Sequence, residues 1–279
     1  MAKPVGPTSH DVVDVVRRAL GVTRVGHLGT LDPFAAGLLV LVVGRATRLA
    51  PFASEWSKDY EGVIRLGTVT ATDDGTGAVV RTSEEWRTLD RNRIAAVLAG
   101  FRGVYDQRPP AFSAVKVDGE RAYRRARRGE AVALAARRVD VRELTLVDFV
   151  PPDVVFRAAV TAGTYLRSLA RDVGERLGCG AHLAALTRTR VGPFRLEEAI
   201  APAAVTAGAV RDPAVLVADL ARRDLDQVER GLVLHGRTIR SGPGTGEEQR
   251  VALFSEGRLI AVAERVGDAL KPRLVLEDA

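Results

Sequence analysis

The chain has 279 residues, of which 46% are hydrophobic and 27% charged, and it carries a net charge of +6. This composition is typical of a folded globular protein and excludes a wholly disordered polypeptide. A single Cys excludes an internal disulfide, and the sequence lacks the Cys/His spacing of a structural zinc site, so we expect neither. No charged leader opens the chain, and its longest apolar run, residues 37–44, is too short to cross a bilayer. These features predict a cytoplasmic protein with no metal and no membrane contact.

The positive charge is concentrated in one segment. Residues 108–142 hold ten basic and four acidic side chains, which account for the entire net charge. Such a segment is either a contact for a polyanion or a solvated basic helix face. Charge alone leaves both interpretations open.

The first predicted helix runs from Ser9 to Leu20. Ser9 is the expected N-cap, apolar residues recur on one helical face, and Gly21 is positioned to end the helix. Apolar periodicity and the positions of Gly and Pro predict the other elements. They are, in chain order, an ordered Gly-rich loop over 25–37, a buried strand over 38–43, a strand over 60–66, a helix over 84–99, a non-helical stretch over 107–116, a short basic helix over 121–128, strands over 139–147 and 154–161, and a helix over 165–177 ended by Gly178.

The order of these elements predicts an α+β protein with a mixed sheet, because strands and helices alternate without the regular rhythm of a doubly wound fold. The composition changes after residue 199, and short β-like stretches separated by Gly and Pro follow residue 225. We therefore predict a main domain over residues 1–222 and a small β-rich domain over residues 223–279.

Asp32 is the most suggestive carboxylate, because it lies in the Gly-rich loop directly before Pro33. A loop held between a helix and a strand presents a side chain to a cleft. The same pair is also the common arrangement of an Asp N-cap with Pro at the first helical position, and the residues alone favour this second interpretation. His27, in the same loop, is more often a hydrogen-bonding residue than a catalyst. Cys179 and His182 lie close in sequence, but two side chains do not make a metal site, and we predict that they pack at a helix end.

Common phosphate-loop, zinc-protease and serine-hydrolase motifs are absent from the sequence, which leaves a cofactor-free enzyme or a binding module. Several blocks stand in order between about residues 3 and 195: Lys3-Pro-x-Gly-x-Thr-Ser9, Gly26-His-x-Gly-Thr-Leu-Asp-Pro-x-Ala-x-Gly37, Lys58-Asp-Tyr60, Leu66-Gly-x-x-Thr-x-Thr-Asp73, Pro109-Pro-x-Phe-Ser-Ala-x-Lys116, Gly119-x-x-Ala-Tyr-x-x-Ala-Arg127, Gly163-Thr-Tyr-Leu-Arg-Ser168 and Gly178-Cys-Gly-Ala-His-Leu183. Together they closely resemble the bacterial tRNA pseudouridine synthases of the TruB type. The tail resembles the small RNA-binding PUA domain, on pattern more than on residues.

The resemblance implies a pseudouridine synthase fold, in which a mixed, mainly antiparallel sheet with flanking helices forms an RNA-binding cleft. It implies that uridine is isomerised to pseudouridine at position 55 in the T arm of tRNA, without a cofactor, by a monomer whose partner is the T stem-loop. Catalytic roles are implied for Asp32, Tyr60 and Arg167. Contacts with the substrate are implied for His27, Lys3, Leu186, Tyr165, Arg121, Arg124, Arg125 and Arg128.

These residue types suit that chemistry. A carboxylate acts as a nucleophile or base only when ionised, and we expect Arg167 to lower the pKa of Asp32. Tyr60 is expected to stack on the base after it has left the RNA stack. The segment 108–142 is expected to close over the RNA and neutralise phosphates, which would make the affinity depend steeply on salt.

Two other functions remain open on the sequence. A noncatalytic module that binds or folds tRNA would use the basic segment and the tail but not Asp32. A glycosidase would usually need two carboxylates that face the scissile bond, and no second acidic residue accompanies Asp32 in its loop.

Overall fold

The computed structural model describes residues 1–113, 115–117, 119–130, 134–242 and 248–277. Its α-helices are α1 (Ser9–Leu20), α2 (Ala50–Ala53), α3 (Arg91–Ala99), α4 (Ala122–Arg127), α5 (Leu166–Leu177) and α6 (Gln227–Leu234). Its strands are β1 (Ala2–Lys3), β2 (Val25–His27), β3 (Ala36–Leu38), β4 (Leu41–Val43), β5 (Lys58–Leu66), β6 (Thr68–Thr70), β7 (Val79–Thr82), β8 (Gly103–Gln107), β9 (Lys116–Val117), β10 (Glu120–Arg121), β11 (Arg137–Val150), β12 (Asp153–Val160), β13 (Ala181–Val191), β14 (Phe194–Arg195), β15 (Ala221–Asp224), β16 (Ile239–Arg240), β17 (Arg250–Ser255), β18 (Arg258–Val266) and β19 (Ala269–Val275). Short 3₁₀ turns cover residues 44–49, 85–88, 196–198, 202–204, 207–209 and 213–217.

The main sheet has eight strands in the order β1-β3-β13-β5-β12-β11-β8, with β14 added beside β13. Neighbouring strands are antiparallel except for β13 and β3, which are parallel. Along β5 the buried residues alternate with more exposed ones, because successive side chains of a strand point to opposite faces. Helices α3 and α5 pack on this sheet at β11 and β13. The predicted α+β fold with a mixed, mainly antiparallel sheet is confirmed.

A second sheet has the order β15-β17-β18-β19-β16. Its core contains Val251, Leu253, Ile260 and Leu270, all fully buried, and α6 packs against β18 and β19. The predicted β-rich C-terminal region is therefore confirmed.

The chain divides into two compact units that do not follow a single boundary in sequence. Contacts between segments that are distant in sequence define the two units. The predicted domain boundary between residues 222 and 223 stays a prediction. One unit comprises Met1–Val12, Gly29–Val40 and Glu55–Pro202, and the other comprises Val13–Leu28, Leu41–Ser54 and Ala203–Ala279.

Helix α1 covers the predicted residues, but its first turn is capped differently. Thr8 Oγ1 accepts a hydrogen bond from Asp11 N at 3.1 Å, and Asp11 Oδ2 accepts one from Thr8 N at 2.7 Å, which makes a reciprocal cap. Ser9 is therefore not the N-cap. Its buried hydroxyl accepts from Leu31 N at 2.8 Å and donates to Leu31 O at 2.9 Å. Gly21 ends the helix with φ +63°, as predicted.

Two other predicted elements have different limits in the structure. The strand predicted over 38–43 is divided between β3 and β4, which belong to different sheets. The helix predicted over 84–99 becomes α-helical only after Asp90, because Asp90 Oδ1 caps it by accepting from Arg93 N at 2.7 Å. Helix α5 ends as predicted at Gly178, which has φ +86°. In the part of the chain that the structure describes, no helix combines the length and the apolar character needed to span a bilayer.

Candidate active site

Asp32 lies in the loop between β2 and β3, and residues 29–35 are named the Asp32 loop below. Residues after Asp32 form a turn, in which Ala35 N donates to Asp32 O at 3.1 Å, and no helix begins there. The interpretation of Asp32 as an N-cap is therefore wrong. Its side chain remains 38% exposed, so a substrate can reach the carboxylate.

Helix α5 brings Arg167 to Asp32. Arg167 is the second residue of α5, its side chain is 7% exposed, and its Nε lies 2.9 Å from Asp32 Oδ2. The other guanidinium nitrogens are also engaged, since Nη1 donates to Thr72 O at 3.0 Å and Nη2 donates to Phe112 O at 2.9 Å. Because the guanidinium is planar and rigid, these bonds to separate segments fix the direction from which it meets Asp32.

A second carboxylate, Asp74, shares Arg167 with Asp32. Asp74 is buried, and its Oδ2 lies 3.6 Å from Arg167 Nη1. Its Oδ1 accepts from Thr72 Oγ1 at 2.7 Å, from Thr76 N at 2.9 Å and from Thr76 Oγ1 at 2.6 Å. These bonds satisfy a carboxylate that would otherwise be costly to bury.

The corresponding block of the sequence ends at Asp73, and no local pattern indicates Asp74. Asp73 Oδ2 lies 3.1 Å from Arg171 Nη1, whereas Asp74 faces Arg167. Two adjacent Asp residues are equivalent in a single sequence. Only the folded backbone, which gives Asp73 a φ of +60°, directs the two carboxylates to different arginines.

The Asp32 carboxyl has a raised pKa. Burial in the cleft raises the pKa, and this effect outweighs the lowering by the Arg167 guanidinium and by Lys3, while the Asp74 carboxylate raises the pKa further. Arg167 lowers the pKa of Asp32, as expected, but desolvation is the larger effect and the pKa is raised overall. The carboxylate that results is partly desolvated and held by one rigid cation, which suits a nucleophile or a base.

Lys3 supports the Asp32 loop from its buried side. Its side chain is fully buried, and Nζ donates to Ala35 O at 2.7 Å and to Pro4 O at 2.8 Å. Burial lowers the pKa of Lys3, and the nearby Asp32 carboxylate opposes that effect. The sequence predicts that Lys3 contacts the substrate. In the structure its ammonium group donates to main-chain oxygens instead.

Tyr60 and Leu186 lie on one face of the main sheet. In the β5–β13 register, Tyr60 is opposite Arg188 and Leu186 is opposite Gly62, and directly paired residues share a face. Tyr60 is buried and Leu186 is half-buried. Arg188 reaches from this face to the Asp32 loop, where its Nη2 donates to Gly29 O at 3.0 Å. The strand register therefore puts Tyr60 and Leu186 on the side of the sheet that faces the loop.

Tyr165 is the residue before α5 and is half-buried. Its N donates to Gln107 Oε1 at 2.8 Å, and Gln107 Nε2 donates to Tyr165 O at 3.1 Å. This pair of bonds holds the start of α5 and hence the position of Arg167. Gln107 could not be predicted from the sequence, since no local pattern shows that the end of β8 meets the start of α5.

The basic segment carries ion pairs of its own. Arg128 Nη1 lies 2.7 Å from Glu120 Oε1, Arg128 Nε lies 2.6 Å from Glu130 Oε1, and Arg125 Nε lies 3.0 Å from Glu130 Oε2, whereas Arg124 is exposed. Arg125 and Arg128 are therefore paired with glutamates in the structure. Such exposed pairs contribute only about 0–1 kcal/mol, so a phosphate can replace the carboxylates at little cost.

The remaining predicted positions are less informative. His27 ends β2 and is half-buried. Arg121 belongs to β10, but its side chain lies outside the described residues. Cys179 and His182 are both buried where the chain leaves α5. Among the residues that the structure describes, no three His, Cys, Asp or Glu side chains are grouped as a metal site would require.

The sequence matches two family models. The N-terminal domain of TruB family pseudouridylate synthases matches residues 17–166, and the tRNA pseudouridylate synthase B C-terminal domain matches residues 167–228. The tRNA pseudouridine synthase B of Thermobifida fusca (strain YX) is 47% identical over 288 residues, which cover 98% of this chain and 96% of that protein. The protein of the same name from Geobacter sulfurreducens (strain ATCC 51573 / DSM 12127 / PCA) is 39% identical over 277 residues, covering 94% of this chain and 91% of its own.

The fold also matches solved structures. A chain from the crystal structure of a Cbf5-Nop10-Gar1 complex superposes with a TM-score of 0.73 and 26% sequence identity, and the match covers 99% of this chain and 84% of that chain. A chain from the archaeal box H/ACA sRNP Nop10-Cbf5 complex gives a TM-score of 0.71 at 26% identity, with 99% and 85% covered.

Proposed function

Because the chain belongs to the TruB family of pseudouridylate synthases, we propose that it isomerises uridine to pseudouridine at position 55 in the T arm of tRNA. The observation that carries this proposal is the ion pair of the accessible Asp32 carboxylate with Arg167 at 2.9 Å. The reaction breaks the bond between N1 of uracil and C1′ of ribose and forms a bond between C5 and C1′. C5 loses a proton and N1 gains one, so the oxidation state does not change, and the proposal includes no cofactor.

Asp32 supplies the reactive carboxylate in this proposal. It acts in its ionised form, as the nucleophile or as the base that removes a proton. Arg167 keeps Asp32 ionised against the effect of burial and points its Oδ2 in one direction. Asp74 keeps Arg167 in place, because it binds a second edge of the same guanidinium.

The uridine has to leave the RNA stack before Asp32 can reach it. Extruding a base costs a few kcal/mol, and stacking on an aromatic side chain returns about 1–3 kcal/mol. Tyr60 is the proposed stacking residue and Leu186 a proposed wall of the pocket. The support for both roles is the strand register, which puts them on the sheet face that Arg188 shares.

The tRNA T stem-loop is the proposed partner. Arg124 and, after release from their glutamates, Arg125 and Arg128 would neutralise phosphates, which position the RNA without reading its sequence. His27, Tyr165 and Arg121 are proposed as further contacts. One chain supplies every residue of the proposed site, so we propose a monomer that acts in the bacterial cytoplasm.

Incubation with an unmodified tRNA transcript, followed by mapping of modified nucleosides, tests this proposal. The matched variants are Asp32→Asn and Asp153→Asn, because Asp153 also pairs with an arginine, Arg65, at 2.7 Å in the same sheet. We expect one pseudouridine at position 55 with the wild type and with Asp153→Asn, and none with Asp32→Asn, which should still bind tRNA. Modification elsewhere would refute the position, and activity of Asp32→Asn would refute the mechanism. Binding without modification by the wild type would favour the noncatalytic module.

A further inference from the structure

We propose that Arg188 is a positioning residue that closes the Asp32 loop at its base, an inference that rests on the proposed function of Asp32. The guanidinium of Arg188 is fully buried and donates to three main-chain oxygens. Nη2 donates to Gly29 O at 3.0 Å, Nη1 to Thr30 O at 3.3 Å and Nε to Leu38 O at 2.8 Å. Gly29 and Thr30 begin the Asp32 loop, and Leu38 lies in β3, which directly follows the loop, so one side chain joins the start of the loop to the strand after its end.

The main chain of Arg188 approaches the same end of the loop. Arg188 pairs with Gly37 in the parallel β13–β3 ladder. Gly37 has φ +108°, and a Cβ atom there would lie 2.3 Å from Arg188 O, so only glycine fits. The strand that carries Arg188 and the end of the loop are therefore in direct contact, which leaves the guanidinium little freedom to move relative to the loop.

Two other side chains each hold a single point of the loop. Ser9 bonds Leu31, and Lys3 bonds the carbonyl of Ala35. Each of these contacts restrains one residue near Asp32, whereas Arg188 restrains the distance between the two ends. A rigid donor fork is suited to this task, because its nitrogens cannot move independently.

The charge around Arg188 argues against a role in stability alone. Lys3 and Lys58 are also buried nearby; burial lowers the pKa of both, and the charge of Arg188 lowers each further. Burying like charges together is unfavourable, and even buried ion pairs can often be replaced by apolar side chains of similar size without loss of stability. The geometry of the loop explains why a buried cation stands at this position, because apolar side chains could not bind the three carbonyl oxygens.

The test replaces Arg188 with Gln, which cannot span both ends, and with Lys, which keeps the charge but not the fork. A reacting group displaced by 1 Å costs about 100-fold in rate, so we expect a loss of about that size in the single-turnover rate of Arg188→Gln at saturating tRNA. Arg188→Lys should lie between Arg188→Gln and the wild type. The Kd for tRNA should stay unchanged in both variants, which separates loss of positioning from loss of binding.

Hydrogen exchange supplies a readout that does not depend on activity. The amide of Leu31 donates to Ser9 Oγ and the amide of Ala35 donates to Asp32 O, and the exchange of both should accelerate in Arg188→Gln while amides of the β5–β12 ladder stay protected. The control is Arg190→Gln, since Arg190 lies on the same strand but donates to Gly192 O, outside the loop. This control should keep the wild-type rate and exchange.

Several outcomes would overturn the inference. It is wrong if Arg188→Gln keeps the wild-type rate, or if its rate falls while exchange in the loop is unchanged. If Arg188→Gln does not fold, Arg188→Lys tests the inference in its place. A wild-type rate and wild-type exchange in Arg188→Lys would show that the forked guanidinium is not needed. A wild type that forms no pseudouridine would refute the proposed function instead, while the exchange measurement would still report on loop closure.

Discussion

Replacing Arg167 with Gln should destabilise the fold and alter the pH dependence of the reaction. The side chains of Arg167 and Asp74 are only 7% and 6% exposed, and removing one partner of such a buried pair costs about 3–5 kcal/mol. The pair with Asp32 adds less, because that side chain is 38% exposed and water screens it. We therefore expect the free energy of unfolding to fall by about 3–5 kcal/mol, an amount set by the loss at Asp74.

The same substitution should move the acidic limb of the rate profile. Burial raises the pKa of Asp32 and Arg167 opposes that effect, so without Arg167 the pKa rises further. A larger fraction of Asp32 is then protonated at a given acidic pH, and the limb shifts to higher pH.

Urea unfolding and single-turnover rates measured across the acidic range check both effects. Arg65→Gln is the control, since Arg65 and Asp153 form an exposed pair whose loss should cost about 0–1 kcal/mol. Equal stability of Arg167→Gln and Arg65→Gln would contradict the buried pair with Asp74, and an acidic limb that moves to lower pH would contradict the effect of Arg167 on Asp32.

Three further substitutions test other parts of the structure. Folding raises the pKa of Asp32, so the folded state binds this proton more tightly, and stability falls as the pH rises from the usual pKa of Asp through the raised one. Asp32→Asn should therefore increase the free energy of unfolding at neutral pH, and this gain should disappear below the usual pKa of Asp. Urea titrations at several pH values measure the difference. The double substitution Glu120→Gln, Glu130→Gln should tighten tRNA binding, because Arg128 loses the carboxylates that compete with phosphate. Salt titrations of the Kd measure this effect, and an unchanged Kd would argue against a phosphate contact at Arg128. Gly37→Ala should destabilise the protein by at least about 1 kcal/mol, because the backbone at Gly37 is left-handed and a main-chain oxygen of β13 occupies the space of a Cβ atom. Thermal unfolding measures this loss, and an unchanged melting temperature would contradict the close contact between Gly37 and β13.

Local patterns predicted the main elements well. The apolar periodicity and the terminal glycines of α1 and α5 appear in the structure where the sequence placed them. The errors concern competition between neighbours. Thr8 and Ser9 are both good caps, and Ser9 is drawn away because its hydroxyl binds Leu31 of a loop distant in sequence. A single sequence does not contain that contact.

The candidate site divides in the same way. Motifs and the family resemblance identified Asp32 and Arg167, since these residues stand in short blocks that can be recognised one at a time. The roles of Asp74, Gln107 and Arg188 arise from contacts between blocks, so no single block indicates them.

The sequence by itself determined most of the elements and the charged segment, and its motifs pointed to Asp32 as the proposed reactive carboxylate, because each depends on residues that are close together in the chain. The tertiary structure decided which arginine meets which carboxylate, which cations are buried behind the loop, and the direction in which the pKa of Asp32 moves. The physical reason is that desolvation and hydrogen bonding depend on what surrounds a group in space.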